Sequence, residues 1–149
     1  MTTTNPIVWL HQEHLSDENP ALQAYPEAPA VFAFDQAALS QEPLAFTRLF
    51  FVYECVCDVF ATRSGPTSLR LGTVVEELAE FAALHQTGSL VTTFAPGARF
   101  AENIAGLKAA GLTVTVLTVP SLVAYDARRV PNRFSAWWRE VEKQALGSS

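Results

Sequence analysis

Apolar residues follow two rhythms along this chain. Compact runs of four or five alternate with longer stretches in which apolar positions recur every three or four residues. Ile7-Val8-Trp9-Leu10 is the first compact run and predicts a strand. Asn19-Pro20 then predicts a helix start, with Asn as the cap and Pro at the first helical position. That helix is short, because Pro26 breaks it. Ala30-Val31-Phe32-Ala33-Phe34 predicts a second strand, ending at Asp35. Residues 44–60 predict a long helix whose only strongly polar positions are Thr47, Arg48, Glu54 and Asp58. At about 100° per residue, Thr47, Glu54 and Asp58 fall within about 40° of one another. A helix with so narrow a polar stripe is buried on most sides or meets a partner.

The second half repeats the alternation. Ser64-Gly65-Pro66 is a turn, and residues 67–71 alternate as a third strand. Residues 74–85 form an amphipathic helix that Gly88 is expected to end. Residues 90–94 predict strand four, running into Ala95-Pro96-Gly97. Residues 98–110 predict a helix closed by Gly111, and residues 112–119 a fifth strand stopped by Pro120. Residues 121–132 are irregular, and residues 133–146 predict a last amphipathic helix. Phe134, Trp137 and Val141 share a face of it and are expected to pack on the sheet, while Trp138 points elsewhere.

Five strand–helix alternations with short connections predict an α/β fold: one domain over residues 1–146 with a tail at 147–149. Its five-stranded parallel sheet is Rossmann-like, with helices on both faces. In such sheets ligands bind beyond the carboxyl ends of the strands, where the strand order reverses. The segments to watch are therefore 11–18, 35–40, Gly72-Thr73 and 94–99.

Composition narrows the function classes. Of 149 residues, 49% are hydrophobic and 17% charged, and the mean hydropathy is +0.15. That supports a full core and leaves apolar surface for a partner. The net charge is -5 and the basic residues, Arg129 among them, are scattered, which argues against autonomous nucleic-acid binding. Residues 1–6 are polar and lack the basic start of a signal peptide. No uncharged stretch is long enough to span a bilayer. Cys55 and Cys57 stand two apart on a predicted helix, so their side chains diverge by about 200° and do not bond to each other. A reducing, cytoplasmic location is expected.

Among the obvious chemistries, none is complete. His11, Glu13, His14, Asp17 and Glu18 offer metal-ligand types, but a solvated loop with Asp17 or Asn19 capping the next helix accounts for them better. There is no G-x-S-x-G elbow, both cysteines lie mid-helix as inert packing, and His85 is expected to face solvent. No phosphate-loop or dinucleotide fingerprint is present. The nearest feature is Ala95-Pro96-Gly97-Ala98-Arg99-Phe100, where Gly97 allows close backbone approach, a helix start offers free N–H groups, and Arg99 stands by. One glycine is little evidence for a cradle, and a plain turn explains the segment better.

Taken together, these segments resemble the N-terminal domain of the photolyase/cryptochrome family. The family pattern W-F-R-R-D-L-R-L-x-D-N-P-A-L is similar to Trp9–Leu22 here, W-L-H-Q-E-H-L-S-D-E-N-P-A-L, without a gap. "VFAFDQ", "GTVVEELAEFA", "GLKAAGLTVTVL" and "VPNRFSAWWREV" resemble later family segments in order. His11, Gln12 and Leu15 replace family arginines, and the tract after strand four differs. The resemblance implies an antenna-type domain without the catalytic FAD-binding helical domain, hence no DNA repair by this chain alone.

The expectation is a non-catalytic binding module. A flavin, deazaflavin, folate or adenine nucleotide would sit above the strand ends, lined by His11, Gln12, Glu13, Phe34, Asp35, Phe94, Gly97 and Arg99. The alternative is an interaction domain with a degenerate pocket. It would form a homodimer or join a separate photolyase-like chain through the helix at 44–60 or the Trp138 side of the last helix. A small nucleotide-processing enzyme ranks third.

Overall fold

The computed structural model describes residues 5–125, 128 and 131–147. Most of the polar start, Arg129, part of the irregular segment 121–132 and the tail's Ser148-Ser149 lie outside them. The strands are β1 (Ile7–Leu10), β2 (Ala30–Asp35), β3 (Thr67–Gly72), β4 (Ser89–Thr93) and β5 (Thr113–Leu117). The helices are α1 (Pro20–Ala24), α2 (Gln36–Gln41), α3 (Phe46–Ala61), α4 (Val74–Leu84), α5 (Ala98–Ala109) and α6 (Phe134–Ala145), with a 3-10 turn at Gln12–His14. All strands pair in parallel in the order β3-β2-β1-β4-β5. The expected parallel α/β class is the one observed.

Two compact units divide the chain between Thr118 and Val119. The first holds the whole sheet with α1–α5. Within it, the period of two along each strand sorts side chains onto opposite faces. Val8, Leu10, Phe32 and Val91 pack with Leu22 of α1 and with Val52, Val56 and Val59 of α3. Ile7, Trp9, Val31 and Leu90 face the other way, against Val74, Leu78 and Phe81 of α4 and Leu107 of α5. Strands β1 and β4 are buried on both faces; β1 accordingly is a continuous apolar run, whereas β4 ends in two buried threonines.

The second unit contains α6. Val141 is its buried apolar residue. Phe134, expected beside Val141 on a packing face, is 70% exposed. It stacks instead on Trp138, one turn along, and tilts against Trp137. Trp137 in turn meets Tyr125 edge-on.

Three expectations are corrected. Segment 35–40 is largely α2, not a loop, because Asp35 accepts from the Ala38 N–H at 3.0 Å and caps it. α4 ends at Leu84, ahead of Gly88. There Gln86 takes the left-handed conformation (φ 52°), and the Gln86 and Thr87 N–H groups bond back to Ala83 and Ala82. Finally, Cys57 is exposed rather than packed inside, while Cys55 is half-buried.

Candidate functional site

The order β2-β1-β4 places the switch point between β1 and β4. From β1 one crossover leads outward through β2 to β3, and β4 starts the other wing. The turns that leave β1 and β4 in opposite directions open a crevice there.

One side of it is fixed by Asn19. This residue is 1% exposed. Its side-chain oxygen accepts from the N–H groups of Ala21 (2.9 Å) and Leu22 (3.3 Å) and from the Thr93 hydroxyl (2.7 Å). Its amide nitrogen donates to the His14 carbonyl at 3.0 Å. One side chain thus caps α1, folds the preceding loop and ties both to the end of β4. A buried amide with its oxygen and nitrogen both engaged adds to the fold instead of costing it.

His11 makes a second tie. It is 8% exposed, and its Nε2 donates to the Thr93 carbonyl at 2.7 Å. That bond requires the proton on Nε2, so in the neutral ring Nδ1 is an acceptor. Nδ1 is buried and has no partner. Burial holds the imidazole below its ordinary pKa of 6.5; the Thr93 bond and the nearby Glu13 carboxylate pull the other way, and His14 adds to the lowering. The ring meets both Trp9 and Phe100 edge-on, each with centroids 5.5 Å apart, and Trp9 stacks on Phe100 at 5.7 Å.

Across the crevice, Asp35 at the end of β2 and Arg99 in the first turn of α5 form a forked ion pair. Arg99 Nε donates to Oδ2 at 2.6 Å and Nη2 to Oδ1 at 2.9 Å. The guanidinium holds the Asp35 carboxyl below its ordinary value, partial burial opposes this, and the Ala38 N–H assists. Gly97 leads into α5 at φ 126° and ψ 153°, a conformation essentially confined to glycine. The space where a Cβ would stand is empty.

Between these groups lies a cavity of about 290 Å³. His11, Gln12, Glu13, Phe34, Asp35, Gly97 and Arg99 all line it. Phe94 does not: it is 52% exposed and touches Phe100 edge-on from outside. The lining also includes Trp9, Phe100, Asn103 and residues of α2. Sequence reading did not place Trp9 and Phe100 among the lining residues, nor Asn19 and Thr93 behind the crevice, which they shape from there. Two adjacent threonines ending an otherwise apolar strand were the available signal for Thr93. Among the described residues, no group of three His, Cys, Asp or Glu side chains stands close enough to hold a metal ion. Nor is any helix among them long and apolar enough to cross a membrane.

No protein-family model matches the chain, and no curated protein matches it. Among solved structures it is similar to a universal stress protein in complex with cAMP. The identity is 16%, 78% of this chain and 98% of that chain are covered, and the TM-score is 0.45. It is also similar to the hypothetical protein MJ0577, whose structure served to assign its biochemical function. There the identity is 12%, the coverage 79% and 99%, and the TM-score 0.42. The first of these is a universal stress protein, from a Rossmann-like family different from the photolyases and cryptochromes, and the photolyase/cryptochrome resemblance is corrected accordingly. The residues that carried it have a local explanation. Trp9 lies in β1, one residue before its end at the switch point, and Asn19-Pro20 is what a capped helix after that strand requires. The flavin, deazaflavin and folate expectations, and the separate photolyase-like partner chain, entered with that resemblance and fall with it.

Proposed function

We propose that the crevice at the β1–β4 switch point binds a nucleotide-like small molecule without acting on it covalently. The supporting observation is the cavity itself: about 290 Å³, at the carboxyl ends of a parallel sheet, with an aromatic wall and a few convergent polar groups. Its volume lies near the lower bound of ordinary ligand pockets, about 300 Å³, and suits one heterocycle with its sugar. Among the described residues that line it there is no Ser, Thr, Cys, Lys or Tyr. That favours binding over catalysis by a hydroxyl, thiol or amine nucleophile. Adenine nucleotides are the first ligands to try.

A panel of nucleosides and nucleotides screened by thermal unfolding tests the reading. A ligand at a hundredfold excess over Kd adds about 2.7 kcal/mol, or roughly 5–10 °C in Tm for a chain of this size. Ala38→Trp, which places an indole in the cavity from α2, should abolish the shift while the ligand-free protein still unfolds cooperatively. A panel with no shift, or a shift that survives Ala38→Trp, removes the proposal.

A second reading has its own observation. On α3, Phe46, Phe51, Phe50 and Tyr53 are 78%, 65%, 47% and 45% exposed respectively. Such a cluster is a feature of association surfaces, and a homodimer is the simplest assembly that would cover it.

A further inference from the structure

Resting on the binding reading above, we propose that the crevice selects an uncharged, amino-bearing heterocycle of the nucleoside class over its phosphorylated forms, with the ring amino group donating to His11 Nδ1. His11 lines the cavity, its Nε2 is committed to the Thr93 carbonyl, and its Nδ1 is buried without a partner. The imidazole therefore presents one acceptor and no donor. A ligand amino group satisfies that acceptor, whereas a ring carbonyl in the same place sets two acceptors against each other. Neutrality of the ring keeps this preference in force at pH 7, since an imidazolium would donate instead.

Charge supplies the second half of the selection. Glu13, Asp35 and Glu42 line the cavity, and Arg99 is the one cation among the described lining residues. Its Nε and Nη2 are already engaged by Asp35. A phosphate entering here meets a net negative surface and competes with that carboxylate for Arg99. The neutral amides of Gln12 and Asn103 are better matched to sugar hydroxyls.

Calorimetric titration of the full chain at pH 7.5 with adenosine, inosine, AMP and ATP tests this. Inosine replaces the 6-amino group of adenosine by a carbonyl and turns N1 from an acceptor into an N–H donor, so the comparison reads donation from the exocyclic position. Adenosine should bind about tenfold more tightly than inosine, the worth of one well-placed hydrogen bond, and affinity should fall from adenosine to AMP to ATP. His11→Gln retains a donor for Thr93 but lacks the second ring nitrogen, and should narrow the adenosine–inosine gap to about twofold. Asp35→Asn frees Arg99 and should raise AMP relative to adenosine, a readout that needs no change at His11. Equal binding of adenosine and inosine, or a gap that persists in His11→Gln, overturns the role of Nδ1. ATP binding more tightly than adenosine overturns the charge selection while leaving nucleotide binding intact. If none of the four binds, this inference falls together with the binding reading.

Discussion

Two residues close helices in the same way with unequal ease. Gly111 ends α5 at φ 91°, and Gln86 ends α4 at φ 52°. In each, one N–H reaches back three residues and the next reaches back five. Glycine adopts this conformation freely, whereas a residue with a Cβ is strained there. Gln86→Gly should therefore stabilise the protein by about 0.5–1 kcal/mol, read as a higher urea midpoint at unchanged slope. A lower midpoint would mean that the glutamine side chain makes a compensating contact. The same pair marks what was legible residue by residue. Gly111 announced its helix end, and Asn19-Pro20 announced a cap. Gln86 carried no such signal, so Gly88 drew the prediction. Asp35 was read as a contact for a ligand, yet it caps α2 and holds Arg99. Asn19's bond to Thr93 joins residues 74 apart, and no local pattern encodes a partner at that distance.

At the scale of elements, α3 shows how hydrophobicity and burial part company. Its sequence predicts a helix that is hidden on most sides or meets a partner, and the helix is there. Only Val52, Val56 and Val59 are buried, however, a single stripe at spacings of four and three. Outside that stripe, Phe46 stacks on Phe50 and Phe50 on Tyr53. Such ladders at helical spacing gain a few tenths of a kcal/mol each and leave broad ring faces in water. Periodicity reports which positions are apolar, not whether a neighbour exists to cover them. If the outer face is an association surface, the full chain sediments as a dimer at micromolar concentration, and Phe50→Glu with Phe51→Glu returns it to monomer without loss of helical circular dichroism. A monomeric parent protein would set the dimer reading aside. The strands behaved differently. Their predicted spans came within about two residues of the observed bounds, in the buried β1 as in the half-exposed, alternating β3 and β5.

Over the whole molecule, acid should lower stability in two separable pH windows. His11 has a folded-state pKa below its ordinary 6.5 because burial disfavours the charged ring. The unfolded chain therefore takes up that proton first, and stability that is complete above pH 6.5 is lost as the pH falls from there toward the folded-state value. Asp35 is lowered from 3.8, chiefly by Arg99. Its contribution stands above that value and disappears below it. Urea-unfolding free energies measured from pH 8 to 2 should fall in both windows, with His11→Gln flattening the first and Asp35→Asn the second. A profile in which neither variant differs from the parent would show that neither group's protonation is linked to folding. The parallel sheet and its two helical layers were readable from alternation alone. The crevice was readable only as a place, since its walls come from segments far apart in the chain. The tie between His11 and Thr93 spans 82 positions. During synthesis, β1 can pair early with β2, but its other edge stays open until β4 has left the ribosome. The ligand crevice is thus among the last features to form, and a chain stalled before residue 93 would expose an unpaired central strand to its neighbours.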